Sequence, residues 1–443
     1  MPRKLLSKAL EAARQTPASR NRAADLYRSL AICFVVLGHW MLVAPYVPDN
    51  ELELRNILAL QPWVQYLTWL FQVMPVFFFV GGYSNAASWS SARASEEKRR
   101  NWATGRLRRL LLPVVPLVLL WAVAAAVAFQ LGVEPELATS ASRAALIPVW
   151  FLAVYILVTL VVPVTFAIWE KLGLWSVTLL AVLAIVIDLV GVGMGQGWLR
   201  WGNYAAVWLA VHQLGYWWRR GDQGAGGIGL LLLIGVVWMS VLVSYAGYPI
   251  SMVSVPGEVF SNTRPPTTAM LALGAVQVSL LLLLARPVNA WLQKETPWAT
   301  VILISQNIMT IYLWHLTVVI VVAGLSLAFG GFGLKVEPGT AAWWVYRPLW
   351  IAVLAVLLLP FLAIFGQFES GSRARQGSGA GLVQASVGAV LTCAGLTILA
   401  LNGVSIDRFP GFNWIACVLT VVGVVIATRR ISPDGSGHRG DKV

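Results

Sequence analysis

Apolar runs of about twenty residues follow one another along most of this chain, separated by short polar breaks. A helix of that length, rising about 1.5 Å per residue, crosses a hydrocarbon core about 30 Å thick. Inside lipid the backbone must satisfy its own N–H and C=O groups, so the pattern predicts an all-α polytopic membrane protein. Twelve spans are expected, from 26 to 46 at the start to 412 to 428 at the end. The sixth, 203 to 218, is short, and the ninth, 299 to 328, is long enough to tilt or break.

The composition agrees. With 58% hydrophobic and 12% charged residues and a mean hydropathy of +0.73, the chain lacks the polar side chains that a water-facing surface needs. The net charge of +13 invites a nucleic-acid reading, but the basic residues sort by side of the membrane. With the amino terminus in the cytosol, most of the 32 Lys and Arg fall in cytosolic segments, which places both termini inside and leaves no need for nucleic acid. The expected organisation is a basic interfacial arm over 1–22, a membrane core over 23–366, a flexible linker over 367–381, a two-span hairpin over 382–428 and a polar tail over 429–443. Within the arm, Leu5, Leu6, Ala9, Leu10 and Ala13 share one helix face, as expected of a helix lying on an anionic membrane. Cys33, Cys393 and Cys417 all lie in apolar runs and read as small buried side chains.

Ionisable side chains inside spans are costly and mark candidate sites. Asp25 and Arg28 stand at the mouth of the first span, and His39 follows Arg28 by eleven residues. At helical rise that puts the imidazole about 16 Å deeper, about halfway across the core. His212 and His315 also fall within spans, whereas His438 is in the polar tail and reads as inert. These histidines have no carboxylate or cysteine at ligand spacing, so no metal site is expected and general acid/base work is the better functional reading. Asp188 is the other intramembrane charge; it would orient a histidine, pair with an arginine or serve packing alone. Gln306 and Asn307, before His315, would bond a substrate or join helices. Arg106 and Arg109 share a helix face and suit a phosphate, although positive-inside bias alone accounts for such a cluster. Gly82 to Ala86 lacks the second glycine of a nucleophile elbow, and the glycines from Gly191 to Gly197 lack nucleotide-fold spacing.

Several segments, in order, resemble the acyltransferase-3 family of integral-membrane acyltransferases. They are Asp25-Leu-Tyr-Arg28 followed by His39, Met74-Pro-Val-Phe-Phe-Phe-Val-Gly-Gly-Tyr83, Arg106-Leu-Arg-Arg109 ahead of Pro113, Val149-Trp-Phe-Leu152, and Ile311-Tyr-Leu-Trp-His315. The resemblance covers about Arg22 to Gly366, and it departs from the family pattern at Tyr27, Ser29 and Gly81. A soluble esterase-like domain of the kind some members carry is not seen, so action through the membrane core or with a separate partner is expected.

The resemblance implies transfer of a short acyl group, often acetyl, from cytosolic acyl-CoA to a hydroxyl on a glycan, glycolipid or other envelope or secondary metabolite. His39 is then the general base, with Asp25, Arg28 and His315 in the catalytic set. Arg106 and Arg109 would hold the CoA phosphates, while His212, Asn307 and Asp188 would position the acceptor or polarise the carbonyl. Acyl-CoA serves as co-substrate and no resident cofactor is expected. Localisation follows as a multi-pass protein of a bacterial plasma membrane. A secondary transporter with a His39, Asp188 and His315 proton relay is the alternative, and another membrane-bound O-acyltransferase family is a third reading.

Overall fold

The computed structural model describes residues 2–49, 51–374 and 380–429. In chain order come α1 (Pro2–Arg14), α2 (Arg22–Leu42), β1 (Val43–Tyr46), β2 (Glu53–Asn56), α3 (Ile57–Leu60), α4 (Thr68–Phe71), α5 (Met74–Ala92), α6 (Glu96–Leu111) and α7 (Val114–Gln130). Then follow α8 (Pro135–Ala145), α9 (Ile147–Leu160), α10 (Val162–Leu172), α11 (Leu174–Gly193), α12 (Asn203–Arg220), α13 (Ala225–Ser244) and α14 (Thr268–Trp291). The last are α15 (Glu295–Gln306), α16 (Ile308–Ala328), α17 (Ala341–Ala374), α18 (Leu382–Asn402) and α19 (Trp414–Thr428).

Among the described residues, nine helical segments are long and apolar enough to cross a membrane, or ten if α8 and α9, bent by 42°, make one span. The difference from the expected twelve has local causes. The run at 148 to 168 is divided between α9 and α10, where Pro163 stands in the first turn of α10 and cannot donate into a preceding helix. The run at 203 to 218 is one helix, α12, but His212, Gln213, Arg219 and Arg220 make it too polar to be counted as a span by apolar length. The run at 412 to 428 yields the 15-residue α19. The long ninth run breaks at Asn307, whose φ of −121° leaves the helical region between α15 and α16. The first span ends at Leu42 and not at 46, because Pro45 disfavours helical geometry at Ala44 and the chain turns into β1.

The chain divides into two compact units. The first comprises 1–90, 144–148 and 161–370 and holds all the intramembrane histidines. Its tightest seam lies between α5 and α12. A Cβ on Gly82 would stand 1.8 Å from the carbonyl oxygen of His212, and one on Gly215 would stand 2.1 Å from that of Phe79, so only glycine lets these backbones meet. Phe78 stacks on Trp208 and Phe79 on Trp218 beside that seam, at ring separations of 4.5 and 5.0 Å. The arm helix α1 is amphipathic, with Ala9 and Ala13 packed on Leu292, Trp298 and Val301.

The second unit comprises 91–143, 149–160 and 371–443. It groups α6, α7 and most of α8 and α9 with the C-terminal hairpin α18–α19. Thr104 of α6 donates to Ala380 O at 3.4 Å, and Ser142 of α8 accepts from the N–H groups of Val404 and Ser405 at 3.1 and 3.2 Å. Of the segment expected as a linker, 367–374 continues α17, while 375–379 lies outside the described residues, as does the tail with His438.

Candidate functional site

His39 lies in the last turn of α2, and His315 lies two turns into α16. The two helices bring together side chains 276 positions apart: His39 Nδ1 is 2.9 Å from His315 Nε2, with ring centroids 5.1 Å apart and planes 23° from parallel. The next residue fixes the same junction, because Trp40 Nε1 donates to the carbonyl oxygen of His315 at 2.9 Å. Closer to the start of α2, Ser29 Oγ meets Ser305 Oγ of α15 at 2.9 Å.

Hydrogen placement in the pair follows from its neighbours. His315 Nδ1 lies 2.6 Å from the carbonyl oxygen of Tyr312. A carbonyl only accepts, so Nδ1 carries the hydrogen, and in a neutral imidazole Nε2 then presents a lone pair. His39 Nδ1 must therefore donate across the 2.9 Å contact, which leaves the lone pair of His39 on Nε2. That nitrogen has no hydrogen-bond partner among the described residues, and His39 is half-buried whereas His315 is fully buried. Tyr312 is itself anchored, its hydroxyl donating to Pro148 O at 2.8 Å. The arrangement supplies an oriented, unoccupied proton acceptor.

Asp25 and Arg28 form the expected pair at the other end of α2. Asp25 accepts from Arg28 NH2 and from Arg20 Nε, both at 2.8 Å. The Arg28 side chain stays partly exposed, leaving a cation at the mouth of the helix.

His212, Asp188 and Asn307 are placed elsewhere. Fully buried His212 faces Asn85 of α5, whose Nδ2 lies 3.1 Å from His212 Nε2, and it meets Tyr216 edge to face. Asp188, buried near the end of α11, accepts the Asn203 amide at 2.8 Å, the Tyr248 hydroxyl at 3.3 Å and the Thr268 N–H at 2.6 Å. It thus closes the first turn of α14 and joins four segments, and among the described residues neither a histidine nor an ion-paired arginine meets its oxygens. Asn307 sits at the α15–α16 break, with Gly366 of α17 so close that a Cβ there would lie 2.7 Å from its Oδ1. Arg106 and Arg109 lie one turn apart on α6 in the second unit, Arg106 half-buried and Arg109 exposed.

Sequence reasoning passed over three buried polar residues. Glu369 accepts both the N–H and the hydroxyl of Thr310 at 3.1 Å, capping the start of α16. Asn85 holds His212, and Arg347 on α17 donates to Val43 O at 2.8 Å. A carboxylate, an amide and a guanidinium within or beside apolar runs were the available signals.

No curated protein and no solved structure gives a match to this chain. A family model described as an acyltransferase domain matches residues 21–366, which takes in α2 with His39, the Gly82 seam, the Arg106–Arg109 helix and α16 with His315. On that match over most of its length, the chain belongs to the acyltransferase-3 family and is a multi-pass membrane acyltransferase.

Proposed function

We propose that this protein transfers a short acyl group, acetyl foremost, from cytosolic acyl-CoA to a hydroxyl of a cell-envelope glycan, glycolipid or secondary metabolite in a bacterial plasma membrane. The observation that carries the reading is the unoccupied His39 Nε2, held by a chain of bonds through His315 to the Tyr312 carbonyl. The acceptor hydroxyl gives its proton to that nitrogen as its oxygen attacks the thioester carbonyl. The new C–O bond forms, the C–S bond breaks, and the proton passes from His39 to the departing thiolate. General-base assistance of this kind is worth about 10²- to 10⁴-fold.

His315 is a positioning residue in this scheme. It selects the tautomer of His39, as a carboxylate does in other nucleophile-base systems. Arg106 with Arg109 on their own helix are assigned to the phosphates of CoA on their chemistry: guanidinium groups one turn apart suit bidentate phosphate contacts. The transporter alternative loses its relay, because Asp188 spends its oxygens on Asn203, Tyr248 and Thr268.

The test is incubation of membranes holding wild type or His39→Ala, at equal expression, with radiolabelled acetyl-CoA. Label entering a lipid or glycan fraction only with wild type supports the reading. Equal labelling by both removes His39 from the chemistry, and substrate flux without a covalent product restores the transporter.

A further inference from the structure

The turn of α2 that carries His39 is tied to its neighbours through more than the imidazole. Trp40, 3% exposed, gives its indole N–H to the carbonyl oxygen of His315 at 2.9 Å. Consecutive residues on a helix point about 100° apart, so His39 and Trp40 reach the same residue of α16 from two sides, His39 at its ring and Trp40 at its main chain. A carbonyl oxygen has two lone pairs, so accepting the indole N–H leaves His315 O able to serve the ladder of its own helix.

The same turn is held from α17. The last four carbonyls of a helix have no donor within it, and a helix end buried in apolar surroundings needs them filled from outside. Here His39 O takes the N–H of Val43, Trp40 O takes the indole N–H of Trp350 at 3.2 Å, and Met41 O takes Arg347 NH2 at 3.4 Å. Arg347 also donates to Val43 O at 2.8 Å, and a cation suits the negative end of the α2 dipole. Trp40 is common to both attachments: its side chain donates to α16 and its carbonyl accepts from α17.

The contact between His39 Nδ1 and His315 Nε2 is a single bond between two side chains that can each swing. If α16 turns or slides against α2, His315 Nε2 leaves Nδ1 and the hydrogen of His39 is no longer confined to that nitrogen. With the hydrogen on Nε2, the ring presents a donor where the reaction needs a base. A second bond, from Trp40 to the main chain of His315, removes that freedom, because ring and carbonyl of one residue are then both held by α2. We propose that Trp40 is a positioning residue for acyl transfer: its indole N–H locks α16 against α2 so that His39 keeps its lone pair on Nε2. The acyltransferase reading supplies the reaction that the lock serves; the lock itself stands on the hydrogen bonds.

The experiment uses the full chain, purified in detergent, with benzothienylalanine in place of Trp40. That side chain puts sulfur where the indole has N–H and keeps the double-ring shape; Trp40→Phe serves should the first variant fail to fold. Transfer from acetyl-CoA is followed with the acceptor fraction that wild type labels. Loss of the N–H lowers kcat by about tenfold, the low end for groups that orient another ligand, and leaves KM for acetyl-CoA within about twofold. In a His39→Ala background the same replacement moves the residual rate by less than about twofold, because no tautomer is left to choose. The second readout needs no substrate: nuclear magnetic resonance of ring-nitrogen-labelled histidine, with His39 assigned by its absence from His39→Ala. Wild type shows the hydrogen of His39 on Nδ1 alone, and the variant shows both tautomers. An equal loss of rate with and without His39, or a His39 that keeps its single tautomer after the replacement, overturns the proposal. A tautomer that becomes mixed, in a protein whose wild type transfers no acyl group, keeps the lock and removes the acyltransferase reading, so the two failures are separate results.

Discussion

The His39–His315 pair and the Asp188 cluster are both buried polar groups among apolar helices, and they differ in what is left over. Asp188 has a donor on each carboxylate oxygen, Asn203 on one and Tyr248 and Thr268 on the other. The histidine pair uses three of its four nitrogens and leaves His39 Nε2 without a partner. A group with a partner on every polar atom holds helices together, whereas one with a bare atom is able to exchange a proton with something that arrives. Depth in the membrane does not separate the two cases; an atom left without a partner does.

The comparison is broken most directly by His39→Ala. Its expected cost is about 10²- to 10⁴-fold in kcat, together with a loss of stability of about 1 to 3 kcal/mol, since the truncation leaves buried His315 Nε2 without its donor. The pH profile sharpens the same point. A proton on His39 Nε2 turns the acceptor into a donor, so the wild-type rate falls as pH falls, while the residual rate of His39→Ala loses that acid limb. Retention of the limb in the variant assigns it to another group.

His315 comes next. His315→Phe leaves His39 Nδ1 without its acceptor and frees the ring to adopt either tautomer, and the expected loss in kcat is about 10- to 100-fold, the range for groups that orient another ligand. His315→Gln keeps an acceptor oxygen and recovers part of it. Equal loss in both variants would mean that ring stacking, not tautomer choice, is what His315 contributes.

Asp188→Ala is the mirror image. It strands a buried N–H at Thr268, the Asn203 amide and the Tyr248 hydroxyl, at about 1 to 3 kcal/mol for each donor that finds no water. The hydroxyl of Tyr248 is already pushed up to about 12 by burial and by the Asp188 charge, so it stays protonated and donating throughout the working range of pH. A large fall in melting temperature with kcat preserved in the folded fraction is expected, read by fluorescence-detected thermal unfolding. Loss of kcat in a variant that melts like wild type would return Asp188 to the catalytic set.

Much of this was legible in the chain. Run length and charge placement give helices, and the order Asp25, Arg28, His39, Gly82, Arg106, Arg109, His315 carries the family. What the sequence does not contain is which spans touch. His39 and His315 are each a histidine in an apolar run, as is His212, and nothing in local spacing pairs the first two and assigns the third to Asn85. Asp188 reads as a lone charge because Thr268, whose N–H it caps, arrives from 80 positions away. Glu369 reads as linker because Gly, Ser and Arg dominate its neighbourhood, although the helix runs on through it. The same limit applies to α12, where polar residues that weaken an apolar signal are the ones satisfied inside the bundle.

The smallest expected effect is at Thr310. Glu369 Oε2 accepts both its N–H and its hydroxyl at 3.1 Å, five residues before His315 on the same helix. Thr310→Val keeps the shape and the backbone bond and deletes one hydroxyl bond, for about 0.5 to 1.5 kcal/mol. Because Glu369 belongs with Asp188 among groups whose partners are structural, the change should appear in thermal stability and leave kcat within about twofold, a barrier change under about 0.5 kcal/mol. If kcat falls while the melting temperature holds, the start of α16 sets the position of His315, and the division between groups that hold helices and groups that move protons fails at the point where it is drawn most finely.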